Sequence, residues 1–166
     1  LWKVFGQNNP SQVLEDSYRD KTREEIQQEL GLVVALRNTS FKVYPGETFV
    51  VMGLSGSGKS TLVRCLIRLI EATSGEVIVD GEDITTFNTD EILQFRRSKM
   101  SMVFQNFGLL PHKNVLENVA YGLEIKGVGK ERRKAVALEM LERVGLTGWE
   151  HSRQRELSGG MKQRVG

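Results

Sequence analysis

The chain has one cysteine, Cys65, so no disulfide can form within it, which fits a reducing compartment. Cys65 lies in the apolar stretch Leu62-Val63-Arg64-Cys65-Leu66-Ile67, where a small buried hydrophobe is expected. Charge of one sign is also lacking. Lys and Arg total 23 against 21 Asp and Glu, and a net charge of +2 gives no electrostatic case for nucleic acid or an anionic membrane. No apolar run approaches the ~18 residues needed to span a bilayer, and no secretory pattern opens the chain. There is no internal repeat, low-complexity segment or heptad run. What remains, at 166 residues and 39% apolar, is a chain able to bury a core of strands and helices, soluble or peripheral at most. It opens on Leu1 rather than methionine and stops at Gly166 inside a polar, helix-like stretch, so it reads as a piece of something longer.

Residues 1–31 read as a polar, charged N-terminal extension. Within it Thr22-Arg23-Glu24-Glu25 has capping-box spacing and Gly31 is a helix stop, predicting a short helix. Leu32 to Leu36 and Thr39 to Val43 are strand-like, and Tyr44-Pro45-Gly46-Glu47 provides turn chemistry. Thr48-Phe49-Val50-Val51-Met52 is apolar without alternation, as expected of a parallel strand covered on both faces. Leu62, Val63, Leu66, Ile67, Leu69 and Ile70 give an apolar helical face. Gly75 to Gly81 and Met100 to Phe104 are expected strands. Beyond them Asn114 with Glu117 repeats the capping-box spacing, and Ala137, Met140, Leu141 and Val144 share one face before Gly145.

Between the expected strand and the first long helix stands Gly53-Leu54-Ser55-Gly56-Ser57-Gly58-Lys59-Ser60-Thr61. A triphosphate needs many donors that approach closely, and Gly53, Gly56 and Gly58 let the backbone curl so that N–H groups point inward. The positive end of the following helix adds to the attraction. Ser55 and Ser57 belong to the same cradle. Lys59 is the mobile cation for the β- and γ-phosphates, the Ser60 hydroxyl suits Mg²⁺, and Thr61 adds a phosphate hydrogen bond. A flexible linker is the competing reading, but linkers are not set between an apolar strand and an apolar helix. Much later, Leu157-Ser158-Gly159-Gly160-Met161-Lys162-Gln163-Arg164 offers a second anion site, with Ser158 as a helix cap and Gly159 and Gly160 exposing N–H groups.

That second stretch resembles the signature motif that sets ATP-binding-cassette proteins apart from other phosphate-loop ATPases. The resemblance implies an α/β fold: a phosphate-loop ATPase core with an antiparallel β-subdomain and a helical subdomain, its C-terminal part missing here. It implies residues 32–106 as the first part of the ATP-binding core, 107–156 as the helical subdomain and 157–166 as the signature and the start of a helix. It further implies ATP and Mg²⁺ as ligands and a head-to-tail homodimer in which Ser158, Gly159, Gly160 and Met161 address the ATP held by the other subunit. Gln105, in Met102-Val103-Phe104-Gln105-Asn106, is similar to the family's glutamine that reaches Mg²⁺ and the attacking water. Phe5 is similar to the aromatic that stacks on adenine, with Trp2 as the alternative.

The opening Leu-Trp-Lys-Val-Phe-Gly, the charged insertion before Gly31, the loop and the form Leu-Ser-Gly-Gly-Met-Lys-Gln-Arg-Val-Gly together resemble the ATPase subunit of glycine betaine/proline osmoprotectant importers. This implies membrane permease partners, an indirectly linked substrate-binding protein, no nucleic acid and a peripheral place on the cytoplasmic face of the membrane. The family's Mg²⁺-binding aspartate, catalytic glutamate and switch histidine follow the signature and do not occur before Gly166. His112 and His151 precede the signature and are expected at the surface, and the 166-residue chain alone is expected to show no turnover. An importer of amino acids or metals, a cassette protein of DNA repair or translation, and a non-catalytic nucleotide-binding module stay open as alternatives.

Overall fold

The apolar residues of the first thirty-six positions find one another. Strand β1, Lys3–Phe5, pairs antiparallel with β2, Val33–Leu36, with Val4 opposite Val34 and Phe5 opposite Val33. Alternation then turns Val4, Val34 and Leu36 inward. Helix α1, Arg23–Leu30, covers Val4 and Val34 with Ile26, joined by Val13 and Leu32. The capping box forms as expected: Glu25 N–H donates to the Thr22 hydroxyl at 3.2 Å, and Thr22 N–H to the Glu25 carboxylate at 2.7 Å. Gly31 ends the helix in the left-handed region at φ 66.

This computed structural model describes residues 1–104 and 107–166, which fall into two compact units, Leu1–Arg96 and Arg97–Gly166. In the first unit Leu36 also packs on Leu62 and Cys65 of helix α2, Lys59–Leu66. The hairpin β3 (Ile78–Val79) and β4 (Glu82–Asp83) follows, then a 3₁₀ turn Ile84–Thr86 and helix α3, Thr89–Lys99. The ring of Phe87 meets Phe95 of α3 edge-on at 5.7 Å.

Several expected elements are absent or shorter. Thr48–Met52 forms no ladder and is exposed, with Met52 at 86%. Thr39–Val43 and Met100–Phe104 likewise form no strand. The physical reason is that an apolar run becomes a strand only when another strand takes its N–H and C=O groups, which local composition cannot provide. Helix α2 stops at Leu66 because Arg68 turns the backbone into the left-handed region at φ 50. Leu69 therefore falls beyond the helix and is 48% exposed, and Val63, within it, is 39% exposed, so the expected apolar face is not completed.

The second unit is helical: α4 (Val115–Ile125), α5 (Lys130–Arg143) and α6 (Gly159–Val165) enclose Val115, Leu141, Leu146, Leu157 and Val165. Asn114 and Glu117 close the second expected capping box, each bond 2.7–2.8 Å. Asn118 ties the preceding loop to α4, accepting from Leu110 N–H at 2.7 Å and donating to the Asn114 carbonyl at 2.8 Å. Glu124 is bridged by Lys113 at 2.9 Å and Arg133 at 3.8 Å, and the Lys113 bond holds its carboxyl below the usual range. No helix among the described residues is long and apolar enough to cross a membrane.

Candidate nucleotide site

The glycine loop opens α2. Gly58 is the residue before the first helical turn, at φ 96, and the Leu62 amide already bonds to its carbonyl at 2.8 Å. A Cβ on Gly58 would lie 2.5 Å from the Ala35 carbonyl oxygen and 3.3 Å from Leu36. The close packing of loop on β2 therefore requires the missing side chain, a backbone contact that no sequence pattern announces. Gly56, at φ 79, makes the turn between Leu54 and Ser57, closed by the Ser57 N–H to the Leu54 carbonyl at 3.2 Å.

Lys59 folds back over the loop it follows. Its ammonium donates to the Gly53 carbonyl at 2.8 Å and the Leu54 carbonyl at 2.7 Å, with the Ser57 hydroxyl at 3.5 Å. An ammonium has three donors, so two short bonds to carbonyls hold Nζ in place while the third, long contact to the Ser57 hydroxyl is the one an anion can displace. Gly53, Ser55, Gly56, Ser57 and Ser60 are exposed around it, and Gly58 and Thr61 half-buried. The structure thus brings the predicted loop residues together in one turn. It differs from expectation on one flank, since the helix follows the loop but no strand precedes it.

Phe5, on β1, is 39% exposed beneath the Lys3 ammonium at 4.8 Å. Its partner Val33 stands two residues before Ala35, about 7 Å along an extended strand from the carbonyl that Gly58 touches. Trp2 is half-buried against the N-terminal core with the Arg37 guanidinium 5.9 Å from its ring, which leaves Phe5 the freer aromatic. In the second unit Ser158 caps α6, its hydroxyl accepting from Met161 N–H at 3.3 Å. Gly159 and Gly160 are exposed with nothing within 4 Å of an added Cβ, whereas Met161 packs on the helical core. Gln105 lies outside the described residues. His112 and His151 are exposed, and no group of three or more His, Cys, Asp or Glu among the described residues could hold a metal ion. Cys65 is buried, and burial pushes its thiol up from the ordinary value.

A glycine turn that opens a helix, with a lysine drawn across it, is the arrangement expected of a phosphate-binding loop. The chain belongs to the ABC transporter family, whose model matches residues 36–166. It is 51% identical over 164 residues to the glycine betaine transport ATP-binding protein of Bacillus subtilis, covering 99% of this chain and 39% of that protein. Over all 166 residues it is 46% identical to the glycine betaine/proline betaine transport system ATP-binding protein of Escherichia coli, covering 41% of it. The trimethylamine N-oxide transport system ATP-binding protein of Pelagibacter ubique is 49% identical over the same length, 48% of that protein. The chain thus spans about two-fifths to one-half of the curated relatives it matches. Its fold is that of an ATP-binding cassette: a solved dimeric cassette in a post-hydrolysis state with ADP and Pi superposes at a TM-score of 0.78 and 31% identity, covering 99% of this chain and 64% of that one.

Proposed function

We propose that the protein is the ATP-binding subunit of an importer, coupling ATP hydrolysis to uptake of a small betaine-type solute through a membrane permease. The observation that carries the reading is similarity along the whole chain to betaine-transport ATP-binding proteins, joined to a loop whose lysine is held over its own carbonyls. In this reading the backbone around Gly53, Ser55, Gly56, Ser57 and Gly58 wraps the phosphates and Lys59 offsets their charge. Thr61 adds a hydrogen bond, and Phe5 stacks on adenine. Ser60 presents an exposed hydroxyl oxygen, the donor type a hard cation prefers, so it fits Mg²⁺ together with Gln105. When bound, Mg²⁺ would neutralise phosphate charge. Gln105 would position the attacking water.

Ser158, Gly159, Gly160 and Met161 would serve the nucleotide of a second copy, in line with the dimeric cassettes that this fold resembles. Residues 1–31 would then be an N-terminal extension, 32–106 the first part of the ATP-binding core, 107–156 the subdomain that receives the permease, and 157–166 the signature. A substrate-binding protein would act through that permease, and the subunit would sit on the cytoplasmic face of the membrane.

The test is a titration of the full-length protein with Mg-ATP. Saturable binding, weakened at least tenfold in Lys59→Ala, is expected. Absence of binding by the unaltered protein overturns the reading. The whole-length match to a trimethylamine N-oxide system favours a second substrate within the same class of small methylated amines. By contrast the methionine import ATP-binding protein of Carboxydothermus hydrogenoformans matches over 134 residues, 81% of the chain. Uptake of labelled glycine betaine, trimethylamine N-oxide and methionine by the reconstituted complex separates these, with the betaine expected to lead.

A further inference from the structure

The helix that starts with Lys59 is held at its other end by two arginines. Arg68, the residue in the left-handed region just past α2, is 13% exposed at its side chain. Its Nη1 donates to the carbonyls of Ile84 and Phe87 at 2.6 and 2.8 Å. Nε and Nη2 fork onto the Glu71 carboxylate, with Nη2 at 3.0 Å. Arg96, from α3, reaches back to the end of α2, donating from Nε to the Ile67 carbonyl at 2.9 Å and from Nη2 to the Arg68 carbonyl. A non-glycine residue in this backbone region carries a conformational cost, and the bonds converging on Arg68 offset it.

We infer that Arg68 and Arg96 are positioning residues for the phosphate loop: they fix α2 along its axis so that its first turn presents Gly58, Lys59 and Ser60 at the distance a phosphate requires. The inference rests on the nucleotide reading above. Helix α2 is only eight residues long, so a shift at Leu66 is carried almost undiminished to Lys59, beside Gly58, whose backbone runs so near the Ala35 carbonyl that an added Cβ would lie 2.5 Å from it. Lysine cannot replace Arg68, since a single ammonium cannot hold two carbonyls and a carboxylate in a plane, and at Arg96 it lacks the two separated nitrogens that reach the carbonyls of Ile67 and Arg68. The fork is therefore a geometric device as well as a charge.

The experiment compares full-length protein with its Arg68→Lys and Arg96→Lys variants, measuring affinity for Mg-ATP, ADP and AMP alongside thermal unfolding. Both variants are expected to bind ATP and ADP about tenfold more weakly. AMP, which lacks the phosphates served by Lys59, should change little. A purely structural role lowers the melting temperature and leaves the ratio of ATP to AMP affinity unchanged, and that result overturns the inference. Glu71→Gln, at a mostly exposed side chain, loosens the same fork while keeping the arginine and its carbonyl acceptors; if an arginine variant does not fold, a fall in ATP affinity relative to AMP in this variant supports the inference and an unchanged ratio overturns it. Failure of the unaltered protein to bind any nucleotide would instead remove the underlying functional reading.

Discussion

Gly58 carries two constraints at once, a left-handed backbone and a contact with Ala35 that leaves no room for a methyl group. Gly58→Ala is expected to cost about 1–3 kcal/mol of stability, the range for a strained backbone site. Mg-ATP affinity should fall by more than the destabilisation alone predicts, as checked by urea unfolding and nucleotide titration on one preparation. Lys59 is different, because its ammonium bonds only within the loop, to the carbonyls of Gly53 and Leu54 and the Ser57 hydroxyl, and its loss leaves no buried cavity. Lys59→Ala should therefore shift the melting temperature by less than the glycine variant while weakening Mg-ATP binding at least as much. The turn of the loop was legible in the sequence because Gly56 and Gly58 permit the left-handed backbone it takes. What stayed hidden was the partner across space: nothing around Gly58 points to Ala35, and nothing around Arg68 points to Ile84 or Phe87.

Elements divide along the same line. Helices whose ends are closed by their own neighbours were legible. Thr22 with Glu25, Gly31, and Asn114 with Glu117 each act within a few residues and appear as expected. Strands depend on distant partners, and there the reading was less complete. Leu32 to Leu36 reads as a strand and pairs over Val33–Leu36, but its partner lies in a stretch expected to be an extension, and the run Thr48–Met52 has no ladder. The local character of the caps makes them separable by mutation. Thr22→Ala is expected to cost about 1 kcal/mol, visible as a lower urea midpoint. Nucleotide binding should be unaffected, since α1 packs on the β1–β2 core and not on the loop.

At the scale of the whole molecule, acid stability follows from carboxyls held in their charged form. Asp83 is lowered by the Thr85 hydroxyl at 2.7 Å and by the Thr85 amide, and Glu25 by the Thr22 amide and hydroxyl. Each binds a proton less readily folded than unfolded. Their stabilisation is thus present above the unfolded values near pH 4 and is lost as pH falls through the lower folded ones. Urea midpoints taken from pH 7 down to 3 should decline on that acid side, and Asp83→Asn should flatten part of the decline. Apolar exposure sets a second global property. Val50, Met52 and Leu54 stand open at 67%, 86% and 85% in the first unit. The 166-residue chain is accordingly expected to self-associate in sedimentation, and Met52→Lys to reduce it.

The lone thiol, sealed at 1% exposure in the last turn of the helix that bears Lys59, can serve as a stopwatch. Reagents that alkylate sulfhydryls meet it only when that stretch breathes open, so labelling speed in native buffer counts those excursions directly. Nucleotide, by clasping one end of the segment, should slow the clock, and the chain carries no other sulfur nucleophile of this kind to blur the reading.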